Sequence, residues 1–183
     1  MKKLILLFVA VVFSLTQMLA QESTVAKGDK VLNLAVGFGG RWTGSYMKTS
    51  VPPVSASFEV GVKDGVLEKG SIGVGGYLAY ASHKWEYVGY GWKVSDIIIG
   101  ARGSFHYPLV NKLDTYTGLL LGYDISTETE TGNASGYDFG SSYGGLTYAW
   151  YVGARYYFSD KFAALGELGV GIVYLNLGVA LKF

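Results

Sequence analysis

From Val31 to Phe183 large apolar residues return at every second position, in runs separated by polar or glycine-rich stretches. A period of two marks a strand whose two faces meet different surroundings. Eight such runs are readable: 31–42, 54–63, 71–82, 95–107, 114–126, 145–158, 161–171 and 174–183. In the first, Leu32, Leu34, Val36 and Phe38 oppose Asn33, Ala35, Gly37 and Arg41. In the fourth, Ile97, Ile99, Ala101, Phe105 and Tyr107 oppose Ile98, Gly100, Arg102, Ser104 and His106. In the last, Leu175, Leu177, Val179, Leu181 and Phe183 oppose Asn176, Gly178, Ala180 and Lys182.

Each run is about 10 residues, the length a tilted strand needs to cross a bilayer; strands of soluble sandwiches are usually about 5–6. One face is uniformly apolar. The other is Gly, Ala, Ser and Tyr with a few charges, which suits a narrow interior. The predicted fold is all-β, an eight-stranded antiparallel up-and-down transmembrane barrel. Backbone amides cannot face lipid unpaired, so the sheet must close and the first and eighth strands must meet.

The connections alternate. Residues 43–53, 83–94 and 127–144 read as long polar or aromatic loops, expected outside the cell; 64–70, 108–113 and 159–160 read as short periplasmic turns. Gly171-Ile172 fits a two-residue hairpin that pairs Val170 with Val173 and sets Glu167 beside Asn176. Aromatics gather at both ends, with Trp42, Tyr80, Trp85, Trp92, Tyr143 and Tyr148 toward the long loops, and Phe105, Tyr107, Tyr156, Phe158, Phe162 and Phe183 toward the turns. Two interfacial belts are the expected result.

The start of the chain changes the compartment. Lys2 and Lys3 precede an apolar run from Leu4 to Leu15, which breaks at Thr16-Gln17, with Ala20 before Gln21. That is a signal-peptide pattern, too short for a membrane helix. The expected division is residues 1–20 as a cleaved signal, 21–29 as a short N-terminal segment and 30–183 as the barrel. Without Lys2 and Lys3 there are 13 basic and 14 acidic residues, a net charge of −1. Such a balance argues against nucleic acid as a partner. No cysteine is present, which excludes disulfides and cysteine-based zinc sites.

On these residues the chain resembles the small outer-membrane β-barrels of the OmpX/OmpA type, particularly the stand-alone barrels of Bacteroidetes. The ending Asn176-x-Gly178-x-x-Leu181-x-Phe183 resembles the signal read by the β-barrel assembly machinery. The resemblance implies a place in the bacterial outer membrane and contact with outer-membrane lipid or lipopolysaccharide; a monomer without cofactor is expected, and two histidines with scattered acids give no metal constellation. It also implies a range of functions: surface adhesion, structural anchoring, a narrow pore or a lipid A-modifying enzyme.

Inward charges are the first candidates for a site: Arg41, Glu59, Lys63, Arg102, Asp124, Arg155 and Glu167. Charge at membrane depth must face the interior and find a partner. Glu59, Arg102, Arg155 and Glu167 are therefore expected to form a network across the lumen, with Arg41 and Asp124 near it. The alternative is a gate or ion path. Trp85, Tyr87, Tyr90 and Trp92, aromatic among charges, are the expected contacts for a host or surface ligand. Catalysis has thin support. Gly140-Ser141-Ser142-Tyr143-Gly144 has the G-x-S-x-G spacing but needs a strand-to-helix turn. Ser104 with His106, and His83 with Ser82 and Glu86, supply no complete triad. No catalytic or metal-ligating residue is assigned.

Overall fold

The computed structural model describes residues 25–41, 48–87, 90–132 and 141–183. The expected signal segment, Trp42 and Gly140 lie outside these, as do the side chains of Tyr87 and Tyr90. Eight strands run β1 (Lys30–Phe38), β2 (Lys48–Val66), β3 (Gly70–Tyr87), β4 (Tyr90–Val110), β5 (Leu113–Gly132), β6 (Ser141–Tyr157), β7 (Phe162–Val170) and β8 (Leu175–Lys182). Each pairs antiparallel with its neighbour in sequence, and β1 pairs with β8, so the ring is closed.

Alternation sorts the side chains. Leu34, Leu78, Ile99, Leu119, Leu121, Leu168 and Val179 project outward, while Asn33, Ser57, Glu59, Arg102, Asp114 and Arg155 are buried inside. An outer surface this apolar is made for hydrocarbon rather than water. At the end bearing the short turns it is ringed by exposed Tyr156, Phe158, Phe162 and Phe183, and toward the other end by Tyr123, Tyr148 and Tyr174.

Strand lengths depart from expectation at one rim. Residues 83–87 and 90–94 are ladder and not loop: the β3–β4 pairing continues through His83↔Val94 and Trp85↔Trp92 to Tyr87↔Tyr90. Much of 127–144 is likewise strand, with Glu128 paired to Ser141, and β2 begins at Lys48. β1, β7 and β8 are 8 or 9 residues long, whereas β2 to β6 run 17 to 21. The barrel thus carries a tall wall on one side of this rim. The face alternation runs into that wall without a register shift. Trp85, Trp92 and Tyr143 therefore share the inward face instead of joining the outer belt. At the opposite rim the strands are joined by tight turns.

Register between β7 and β8 follows the sequence reading: Glu167 faces Asn176. The ladder stops at Leu168↔Leu175, however, so the connection is longer than two residues. Ile172 and Val173 turn inward and pack with Tyr77, Ile98, Leu120 and Tyr151. At the other end Val25 is buried with Val31, Tyr157, Ala163 and Ala180, and its carbonyl accepts from the Ser71 hydroxyl. Lys63 is a correction. The ladder shifts between Gly61 and Lys63, which leaves Lys63 exposed outside the lumen. A β-bulge moves a residue from one face to the other in this way.

Closure requires close approach. A Cβ at Gly178 would lie 2.0 Å from the Leu34 carbonyl oxygen and 2.7 Å from Ala35 Cα across the seam. Nothing lies within 4 Å of the same position at Gly76, on the outer face. Gly178→Ala is expected to lower refolding yield several-fold, read as the fast-migrating fraction on unheated gels. Gly76→Ala is expected to refold like the parent.

Candidate functional site

The densest chemistry is inside the lumen, in its lower half toward the short turns. Arg155 is fully buried. Its Nη1 donates to Asp114 Oδ2 at 2.8 Å, its Nη2 to Glu59 Oε2 at 3.1 Å and its Nε to Asn33 Oδ1 at 3.0 Å. The guanidinium carbon stands 4.4 Å from the Tyr116 ring centre. Arg102 repeats the arrangement higher up. It donates to Glu167 Oε2 at 2.8 Å and to the Tyr151 hydroxyl at 3.1 Å, and lies 4.0 Å over that ring. Planar guanidinium suits both roles, as a fork of donors and as a cation on an aromatic face.

His106 joins the two acids of the lower group. Its Nδ1 is 2.9 Å from Asp114 Oδ1 and its Nε2 is 2.5 Å from Glu59 Oε1. With a doubly protonated His106, three positive groups face three carboxylates. Hydroxyls tie the halves together: Ser104 donates to Glu59 at 3.1 Å and meets Tyr151 at 3.0 Å, while Tyr116 donates to Glu167 at 3.0 Å. Asn176 completes Glu167 from β8 at 3.5 Å. Each charged side chain of the cluster stands within 3.1 Å of an opposite charge, which offsets the penalty of an isolated buried charge.

The sequence places these groups simply. Asp114 and Arg155 are direct cross-strand partners, as are Glu167 and Asn176. Space comes from glycine: a Cβ at Gly73 would lie 2.4 Å from Glu59 Oε1. Of the expected lumen charges, the structure brings Glu59, Arg102, Arg155 and Glu167 into this cluster. Arg41 and Asp124 form a separate pair nearer the tall rim, 2.5 Å apart, with Arg41 also donating to Thr147 at 2.9 Å. His106, Asp114, Tyr116 and Tyr151 were missed as members. Parity could have found them, since Asp114 and Tyr116 share the face of Gly118 and Asp124.

The catalytic candidates disperse. Ser104 and His106 are buried in the cluster and engaged by Glu59, Tyr151 and Asp114. His83 is buried on the inward face, whereas Glu86 lies exposed on the opposite face of the same strand. Ser141 to Gly144 are part of β6, so the strand-to-helix turn of a nucleophile elbow is lacking there. Among the described residues no three His, Cys, Asp or Glu side chains form a metal-binding group.

No family model matches the sequence, and no curated protein does. Solved structures do match. The N-terminal β-barrel domain of Pseudomonas aeruginosa OprF aligns over 86% of this chain and 98% of that one, with 15% identity and a TM-score of 0.51. Ail, the attachment invasion locus protein of Yersinia pestis, in complex with the heparin analogue sucrose octasulfate, aligns over 86% and 99%, with 13% identity and a TM-score of 0.53. The fold is that of the small eight-stranded outer-membrane barrels. In a barrel of this kind the interior is narrow enough for side chains to fill, and here seven strands send polar groups into one cluster.

Removing one partner from such a cluster leaves the others buried and unmet. Arg155→Met is expected to destabilise the folded barrel by about 3–5 kcal/mol in urea titrations. Lys182→Met, at the partly exposed pair with Asp29, is expected to cost no more than about 1 kcal/mol.

Proposed function

We propose that this protein is a bacterial outer-membrane barrel that is not an enzyme. Its lumen is closed by side chains, and its work is structural or is done by surface contact at the tall rim. The observation that carries the reading is the division of the molecule. The interior is occupied by an ion-paired cluster, with Ile172–Val173 packed at one end and Val25 at the other. Above the apolar band rises a wall bearing Trp85 and Trp92, stacked with ring centres 5.2 Å apart. Aromatic side chains on a rigid sheet make contact area at little entropic cost.

In this reading residues 1–20 direct export, the tall rim faces outside and the short turns face the periplasm. Outer-membrane lipid surrounds the band as the environment of a monomer. Trp85, Tyr87, Tyr90 and Trp92 form the contact surface for a host or surface ligand. Asn176, Gly178, Leu181 and Phe183 present the ending to the assembly machinery. The likeness in fold to Ail, a protein named for attachment and invasion, agrees with a surface role.

Conductance tests the closed lumen. Purified folded protein is expected to give no steady current in planar bilayers, and a reproducible ohmic channel would replace this reading with a narrow pore. Trp85→Ala with Trp92→Ala is expected to remove most binding to cells or matrix while leaving heat-shifted gel mobility intact. Deleting Phe183 is expected to reduce outer-membrane yield more than it reduces the stability of barrels already folded.

A further inference from the structure

The wall carries a second group of charges, apart from the lumen cluster. Cross-strand rows climb its inward face: Ile98–Asp124, then Asp96–Ser126, then His83–Val94–Glu128, then Trp85–Trp92–Glu130. Asp96 and Asp124 are diagonal neighbours on adjacent strands, as are Asp96 and Glu128, a spacing at which long side chains interact. A cavity of about 400 Å³ opens among His83, Trp85, Trp92, Val94 and Glu128.

The acids beside it are incompletely satisfied. Asp96 is 3% exposed. Its Oδ1 accepts from the Ser126 hydroxyl at 2.5 Å, and its Oδ2 has no partner. Asp124 is 4% exposed, with Oδ1 likewise unmet, but its Oδ2 is answered by Arg41. Glu128 accepts the Tyr143 hydroxyl at 3.2 Å. Among the described residues Asp96 and Glu128 form no salt bridge; Glu128 lines the aromatic cavity and Asp96 lies one row deeper. A buried acceptor left unmet calls for something to fill it.

The chemistry narrows what that is. An anion is repelled. A hard divalent ion wants six to eight oxygens, and the cavity lining offers one carboxylate, Glu128, beside an imidazole, two Trp rings and a valine. A cation with an apolar stem fits both halves: carboxylates take its charge, and an indole face takes its charge or its stem. Trp92 is 42% exposed.

We propose that this pocket binds a primary alkylammonium group, with Glu128 receiving the N–H donors, the Asp96 carboxylate one row deeper adding its negative charge, and the Trp85–Trp92 pair covering the methylenes. The proposal rests on the surface-contact reading and names the chemistry of the ligand. The same head group belongs to free amines and to lysine side chains.

The test is calorimetric titration of the full folded chain in detergent at low salt. The probes are n-butylammonium, a capped lysine amide and the neutral n-butanol. Saturable binding of n-butylammonium, weakened at high salt, supports a free amine. Binding of the lysine amide alone supports a side chain of a polypeptide. Glu128→Gln, on the rim, and Asp96→Asn, deeper in the wall, are each expected to weaken binding about tenfold while heat-shifted mobility stays unchanged. Equal binding of n-butanol, unaltered affinity in both variants, or no binding of either amine would overturn the proposal. If neither amine binds while the double Trp variant still loses cell binding, the ligand assignment falls and the surface-contact reading stands.

Discussion

Unpaired backbone in an apolar medium is so costly that it governs everything else in this molecule. A sheet whose outer face is Leu, Val, Ile and Phe draws its own amides into hydrocarbon, where no water can satisfy them. The ladder therefore has to return on itself, and the β1–β8 pairing from Val31↔Lys182 to Phe38↔Leu175 is where it does. Closing with eight strands leaves an interior only wide enough for side chains. Glycines such as Gly73 and Gly178 follow from that width, since one added carbon at either site meets another group well inside contact distance.

The narrow interior in turn dictates its own chemistry. Membrane proteins cannot rely on a water-driven core once the outside is apolar, so polar packing does the work of holding register. Arg155 touches groups from β1, β2 and β5 while sitting on β6. A slip of any one of those strands by a single residue would turn its side chains to the other face. Buried ion pairs are weak sources of net stability. Their value in this barrel is that only one alignment of the strands satisfies all of them.

Much of this was legible because the two environments alternate with the pleat. Leu32 to Phe38, Ile97 to Tyr107 and Leu175 to Phe183 announced their faces, and the Glu167–Asn176 pairing could be read from the hairpin spacing alone. Reading failed where the contrast vanished. Above the apolar band both faces of β3, β4 and β5 leave the hydrocarbon, so HKWEYVGYGWK looks like a loop although residues 83–87 and 90–93 are ladder. Lys63 was misplaced because a bulge is invisible to strict alternation. Asp114 and Asp96 sit at points where strand and turn composition merge, so their inward direction shows only when parity is carried along from Asp124 and Arg102. The inward fold of Ile172 and Val173 depends on partners on β3, β4, β5 and β6, which no local pattern contains.

The β1–β8 seam also sets the order in which the chain can gain its contacts. Seven of the eight ladders join neighbours in sequence, so each can form as a hairpin once its two strands meet. The eighth joins residues about 150 positions apart, Val31 with Lys182, and the loop entropy of that contact falls due before any reward. Until it forms, the chain is a curved sheet with two sticky margins, open to pairing with any other edge nearby. The seam is therefore the clock of this fold as well as its lock.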